Sequence, residues 1–221
     1  MKPAAPAAVV HFVRAGGLDV TKIVPAPPAA GSLAANADLE TVLQVQAART
    51  PEQIAWANVV DKNDLFAAFG AGGLLGAQFK QENFPRLVAL LKDINDDLRP
   101  LVDGSKKLYA RPRPHVADAR VKLCVPVPTN DSYPSGHAYG AYMRAAVLAE
   151  IFTEKRTEIF DRARYFAWGR VIGGVHFPTD LDAGRRLAEA GFAELKKSAA
   201  FRAALEECRT EAAAAGLKKA A

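Results

Sequence analysis

Alanine recurs throughout this chain, β-branched residues are sparse, and glycine and proline gather between stretches of helical periodicity. Alanine is the strongest helix former and glycine and proline are the strongest interrupters, so the pattern specifies helices joined by punctuated loops. At 221 residues the chain can bury one substantial core, and no break in composition divides it. The expected architecture is all-α: a single-domain helical bundle over residues 31–217, preceded by an arm over residues 1–30. The arm contains Val24-Pro25-Ala26-Pro27-Pro28. Its fixed φ angles and missing donors favour an extended segment wrapped on the surface.

Local signals place the helices. Leu39, Val42, Leu43 and Val45 lie at mixed helical spacings, predicting a helix over 38–48. Thr50-Pro51-Glu52-Gln53 reads as an N-cap, a first-turn proline and a capping-box partner for the next helix. A short helix over 63–69 leads to Gly70, Gly72, Gly73 and Gly76, a region of close packing or bending. The clearest amphipathic stretch runs over 84–101, with Phe84, Leu87, Leu90, Leu91 and Ile94 on one face. Further helices are predicted over 135–152, 158–171, from Pro178, and over 201–217.

The bulk properties exclude several function classes. The formal charge of +5, from 29 basic and 24 acidic side chains, is too small and dispersed for a nucleic-acid footprint. No apolar run approaches the roughly 18 residues that a bilayer-spanning helix needs. Cys124 and Cys208 fit either one disulfide or two buried thiols. The first residues lack an apolar signal core, which leaves a cytoplasmic protein or one whose signal peptide has been removed.

Three basic clusters carry the chemistry: Lys106 with Arg113, then Ser135-Gly136-His137, then Arg170 with His176 and Asp180. Guanidiniums supply forked donors suited to a tetrahedral oxyanion, and two histidines offer a nucleophile and a proton donor. Pro134-Ser135-Gly136-His137 opens a helix, so the N–H groups of Ser135, Gly136 and His137 can face an anion. Read alone, Ser135 is equally a helix cap and His137 a packed core residue. Asp180, four residues after His176 and across Pro178, can meet one imidazole N–H and leave the other nitrogen free. Lys106, Lys107, Arg111 and Arg113 also form a candidate surface patch for docking anions.

Taken together, Lys106-x6-Arg113-Pro114, Pro134-Ser135-Gly136-His137 and Arg170-x5-His176-x3-Asp180 resemble the three-part signature of the phosphatidic acid phosphatase type 2 superfamily. More narrowly, Tyr109-Ala110-Arg111-Pro112-Arg113-Pro114 and Ser132-Tyr133-Pro134-Ser135-Gly136-His137 resemble segments of the bacterial class A non-specific acid phosphatases. The resemblance covers about residues 22–210. It implies that Lys106, Arg113, Ser135, Gly136 and Arg170 hold the phosphate, that His176 forms a phosphohistidine, that His137 serves as general acid and base, and that Asp180 orients His176. It further implies small phosphate monoesters as substrates, inorganic phosphate or vanadate as inhibitors, no cofactor and no metal, a periplasmic location and a homodimer. An acidic optimum follows from the need for a protonated His137.

The superfamily also contains vanadium-dependent haloperoxidases, and a degenerate phosphate binder is a further alternative. One departure stands out. The family usually places serine before the arginine of its third motif, whereas this chain has Gly169. The expectation is one phosphate donor fewer, or a water in its place. His115 follows the first motif where relatives often carry an aromatic residue, and is read as a surface or pocket-mouth histidine.

Overall fold

The computed structural model describes residues 9–217. Among them there is no strand, and ten α-helices build one helical domain: α1 (Val20–Ile23), α2 (Leu33–Ala48), α3 (Pro51–Asp61), α4 (Leu65–Gly70), α5 (Pro85–Tyr109), α6 (Pro114–Ala117), α7 (Gly136–Ile151), α8 (Arg156–Ile172), α9 (Pro178–Leu195) and α10 (Ala199–Ala214). No described helix is long and apolar enough to cross a membrane.

Capping chemistry sets most of the boundaries. Thr50 and Gln53 close a reciprocal capping box on α3, with Pro51 in its first turn. Ser135 and Ser198 cap α7 and α10 through their hydroxyls. Ser32 caps α2, so this helix starts five residues before the apolar spacing suggests. α5 continues through Pro100 to Tyr109 and ends at Ala110, whose φ of 44° is left-handed. The expected stop near residue 101 is therefore corrected, because burial of Leu98, Leu101 and Val102 outweighs one missing helical donor.

α7 is the axis of the bundle and packs against α8 and α9. Its side chains at Ala138, Ala141, Ala145, Leu148 and Ile151 are buried, while the polar His137, Arg144 and Glu150 are half-buried. The α7–α9 contact is close because α9 carries Gly184. A Cβ there would collide with the Ser135 carbonyl and lie 2.9 Å from the Tyr139 nitrogen.

Residues 9–30 pass along the bundle with a 3₁₀ turn at Ala15–Gly17 and the single turn α1. Residues 1–8 of the expected arm lie outside the described residues. The segment is held by Asp97 of α5, whose carboxylate accepts the N–H groups of His11, Phe12 and Val13 at 2.9, 2.7 and 2.9 Å. Further along, the Val24 and Pro25 carbonyls accept hydrogen bonds from the hydroxyls of Tyr109 and Tyr133. Cys124 and Cys208 are both free thiols, the second buried in α10.

Replacing Gly184 with alanine should force α7 and α9 apart. We expect a loss of about 1–3 kcal/mol or more, read as a lowered urea midpoint with the helical circular dichroism retained.

Candidate active site

Four segments converge at the N-terminal ends of α7 and α9: the C-terminal turn of α5, the loop through Arg113, the segment 130–137 and the loop from Arg170 to Asp180. Asp180 sits in the first turn of α9 and is fully buried. Its carboxylate receives Arg111 Nη1 at 2.7 Å, Ser132 Oγ at 2.5 Å, the Phe177 N–H at 2.9 Å and His176 Nδ1 at 3.0 Å. Burial pushes the Asp180 carboxyl up, and Arg111 and the Ser132 and Phe177 donors pull it back down.

His176 is held from both sides. Its Nε2 lies 2.9 Å from Arg113 Nη1. A guanidinium only donates, so Nε2 carries the lone pair and Nδ1–H donates to Asp180. Burial, then Arg113, Lys106 and Arg170, hold the His176 imidazolium far below the ordinary histidine range. The histidine is neutral, with its free lone pair directed among cations.

Those cations are themselves buried. Arg113 donates from Nε to the Asn130 carbonyl at 2.8 Å, from Nη1 to the Val175 carbonyl at 2.6 Å and from Nη2 to Asn130 Oδ1 at 2.6 Å. Burial and the neighbouring Arg170 lower its pKa to about 10. Lys106 reaches the Asp131 and Ser132 carbonyls, and burial followed by Arg113 lowers it to about 7. Arg170 donates from Nη1 to Asp61 Oδ1 at 2.6 Å, while its buried Nε has no partner. A set of cations satisfied mainly by carbonyls, with an orphaned guanidinium donor, is a cage suited to an anion.

Ser135 departs in part from expectation. Its N–H donates to the Asp180 carbonyl at 2.9 Å, so it does not face the cage, and its hydroxyl caps α7 by accepting the Ala138 N–H at 3.2 Å. Gly136 and His137 occupy the first two positions of α7, whose N–H groups have no acceptor within a helix. The His137 ring stacks on Phe166, and its Nε2 lies 3.3 Å from the Asp61 carbonyl. Burial and then Arg170 lower its pKa to about 3.

The structure thus brings together all eight residues read from the motifs, and it adds partners that lay hidden in the sequence. Arg111 is no surface docking residue. It is buried, bridges Asp180 to Asp38 of α2 at 2.8 Å, donates to Thr179 Oγ1 and lies over the Phe177 ring. Lys106 and Arg113 are buried as well, leaving Lys107 alone exposed among the four patch residues. Ser132, Asn130 and Asp61 complete the set. The alternating Arg111-Pro112-Arg113-Pro114 was the signal available for Arg111, while nothing local marks Asp38 or Asp61.

Gly169 has a steric explanation. A Cβ at this position would lie 2.8 Å from Val60 Cγ2, so Val60 of α3 stands against the place a serine Cβ would take. His115 is half-buried with an unpartnered Nδ1, and burial followed by Arg113 lowers its pKa. The sequence showed no compact metal-ligand set. Folding creates one among the described residues, His11, Asp93 and Asp96, at the tether of the N-terminal segment on α5 and separate from the cage.

Comparison with known proteins gives the family. The model of the PAP2 superfamily matches residues 88–199, just over half the chain. A non-specific acid phosphatase of Providencia stuartii is 29% identical over 203 residues, 88% of this chain and 81% of that protein. One of Salmonella typhimurium is 35% identical over 145 residues, 62% of this chain and 57% of that protein. An acid phosphatase of Zymomonas mobilis is 30% identical over 132 residues, 58% and 50% of the two chains. The matched stretches therefore span only about half of the Salmonella and Zymomonas proteins. Among solved structures, the transmembrane PAP2 type phosphatidylglycerolphosphate phosphatase of Bacillus subtilis shares the fold, with a TM-score of 0.54 and 20% identity over 76% of this chain and 87% of that one.

Two outcomes follow from the cage. Asp61 competes with any anion for Arg170, and a partly exposed pair of this kind is worth about 1 kcal/mol. Asp61→Asn should therefore tighten inorganic phosphate binding about fivefold by calorimetry. Lys106 loses its proton as pH rises through about 7, and a bound dianion favours the protonated form. Sulfate affinity should fall above pH 7 by up to about tenfold per pH unit, and Lys106→Met should flatten that slope.

Proposed function

The chain belongs to the PAP2 superfamily, and from that premise and the chemistry of the cage we propose that it hydrolyses phosphate monoesters through a covalent phosphohistidine on His176. It is a phosphatase with the acid-phosphatase activity of its family. The observation that carries the finer mechanism is the His176 lone pair on Nε2, fixed by Asp180 on the opposite nitrogen and surrounded by Arg113, Lys106 and Arg170.

The steps follow from these contacts. A phosphate group entering the cage offers oxygens to Arg113, Lys106, Arg170 and the N–H groups of Gly136 and His137. Arg113 exchanges its contact with Nε2 for a phosphate oxygen, which releases the lone pair. Nε2 attacks phosphorus in line, the bond to the leaving oxygen breaks, and His137 gives that oxygen its proton. Water then attacks the phosphohistidine, with His137 as base, and inorganic phosphate leaves. The Ser135 hydroxyl has a hydrogen left to donate to a phosphate oxygen while it accepts from Ala138.

Charge neutralisation by two arginines and a lysine does the work that metal ions do in two-metal phosphatases. These cations also repel a metal from the same space. Because His137 gives up its proton so readily in the empty cage, the proton it transfers has to be stabilised by the incoming phosphate. Low pH supplies it, which supports an acidic optimum. A broad range of monoesters, inhibition by vanadate, a periplasmic location and a homodimer belong to the same reading, the last two to be checked by fractionation and light scattering.

Turnover of p-nitrophenyl phosphate should persist in EDTA and peak below pH 7. His176→Ala should lower kcat by at least about 10³-fold, and protein quenched in alkaline denaturant should carry a base-stable, acid-labile phosphoryl label on His176. His137→Ala should cost about 10²–10⁴-fold in the phosphorylation step with an alkyl phosphate and much less in the burst of p-nitrophenolate from p-nitrophenyl phosphate, whose leaving group needs no proton. An enzyme inactivated by EDTA and restored by a divalent metal would refute the mechanism.

A further inference from the structure

A cavity of about 440 Å³ is lined at one end by Gly136, the residue before His137, and extends along α7 past Gly140 to Met143 and Arg144. These positions fall on successive turns of one helix face. The two glycines leave room at the end nearest the cage. Leu65 and Phe66 of α4 and Leu91 of α5 contribute an apolar wall. The phenol of Tyr139, one turn beyond Gly136, has a buried hydroxyl without a partner.

Two cations at the far end form no salt bridge among the described residues. Arg144 donates from Nη1 to Asn63 Oδ1 at 2.9 Å, and the Asp64 carboxylate acts on it through its field without a salt bridge. Lys62, exposed at the end of α3, is likewise without one. The other two cations of the cavity are matched within their own helix, Lys92 by Asp96 and Arg99 by Asp103. Asp64 is the one acidic residue in the lining; its carboxylate caps α4 at 2.6 Å and offsets the charge of Arg144 in part, leaving Lys62 unmatched. Arg144 follows His137 by two helical turns, a span of about 10 Å. It is near enough to act on the His137 imidazole through its field.

We propose that this cavity is a leaving-group subsite for phosphate monoesters whose alcohol carries an apolar body ending in a second anionic group. The phosphate occupies the cage, the apolar body lies along Gly136 and Gly140 against Leu65 and Phe66, and the second anion meets Arg144 and Lys62. This rests on the phosphatase reading, since it is the leaving oxygen beside His137 that directs the alcohol toward α7. It adds a preference that the cage alone does not impose.

Phosphonates test the subsite without turnover, because their carbon–phosphorus bond resists hydrolysis. Binding of octylphosphonate, 8-phosphonooctanoate and inorganic phosphate would be measured by calorimetry on the full chain and on Arg144→Met and Lys62→Ala. The expected result is that 8-phosphonooctanoate binds about tenfold or more tighter than octylphosphonate. Each substitution should shrink that ratio while leaving inorganic phosphate affinity unchanged. Lys62 is exposed, so its variant carries the test if Arg144→Met fails to fold. Equal affinities for the two phosphonates, or a ratio that survives both substitutions, would overturn the subsite while phosphate binding kept the cage intact. Absence of inorganic phosphate binding would instead overturn the cage reading, and the subsite with it.

Discussion

A carboxylate without solvent must be surrounded by donors or lose its charge, and Asp180 is the point where this requirement organises the molecule. Its donors come from the loop after α5, from the segment before α7 and from its own loop and helix. Through Arg111 the network extends to Asp38 on α2. Removing one member leaves another buried charge unpaired, which costs about 3–5 kcal/mol. The position of the His176 ring is thus tied to the packing of helices far apart in sequence.

The same crowding explains the state of the cations. Lys106, Arg113 and Arg170 lie close enough to depress one another or His176. Carbonyls of Asn130, Asp131, Ser132 and Val175 and the side chain of Asp61 hold them in the meantime. Such contacts relieve hydrogen-bonding needs but return little charge, Asp61 excepted. A dianion restores the missing charge, and affinity arises from the repulsion it removes as well as from the bonds it makes.

Features encoded by neighbouring residues were legible in the sequence. The capping box at Thr50, the start of α7 after Ser135 and the proline opening α9 depend on contacts three or four residues apart. The three motifs named the cage because phosphate needs those residue types. What escaped was long-range: Arg111 reaches Asp38 across 73 positions and Arg170 reaches Asp61 across 109. No periodicity or spacing reports such a pairing. Gly169 shows the difference well, since the sequence revealed a missing hydroxyl and only the packing revealed Val60 against that position.

The contact of Gly184 with the start of α7, together with the Ser135 N–H bonded to the Asp180 carbonyl, ties the His176–Asp180 pair to the first turn of α7. The loop joining α3 to α4, which carries Lys62 and Asn63, stands outside that pair. Asp61 at the end of α3 pairs with Arg170, and two residues on Asn63 meets Arg144 of α7, so one short loop touches both the cage and the proposed subsite. On the proposed reading, a change in this loop alters the grip on Arg170 as well as the far end of the cavity, so substrate preference and anion affinity would shift together.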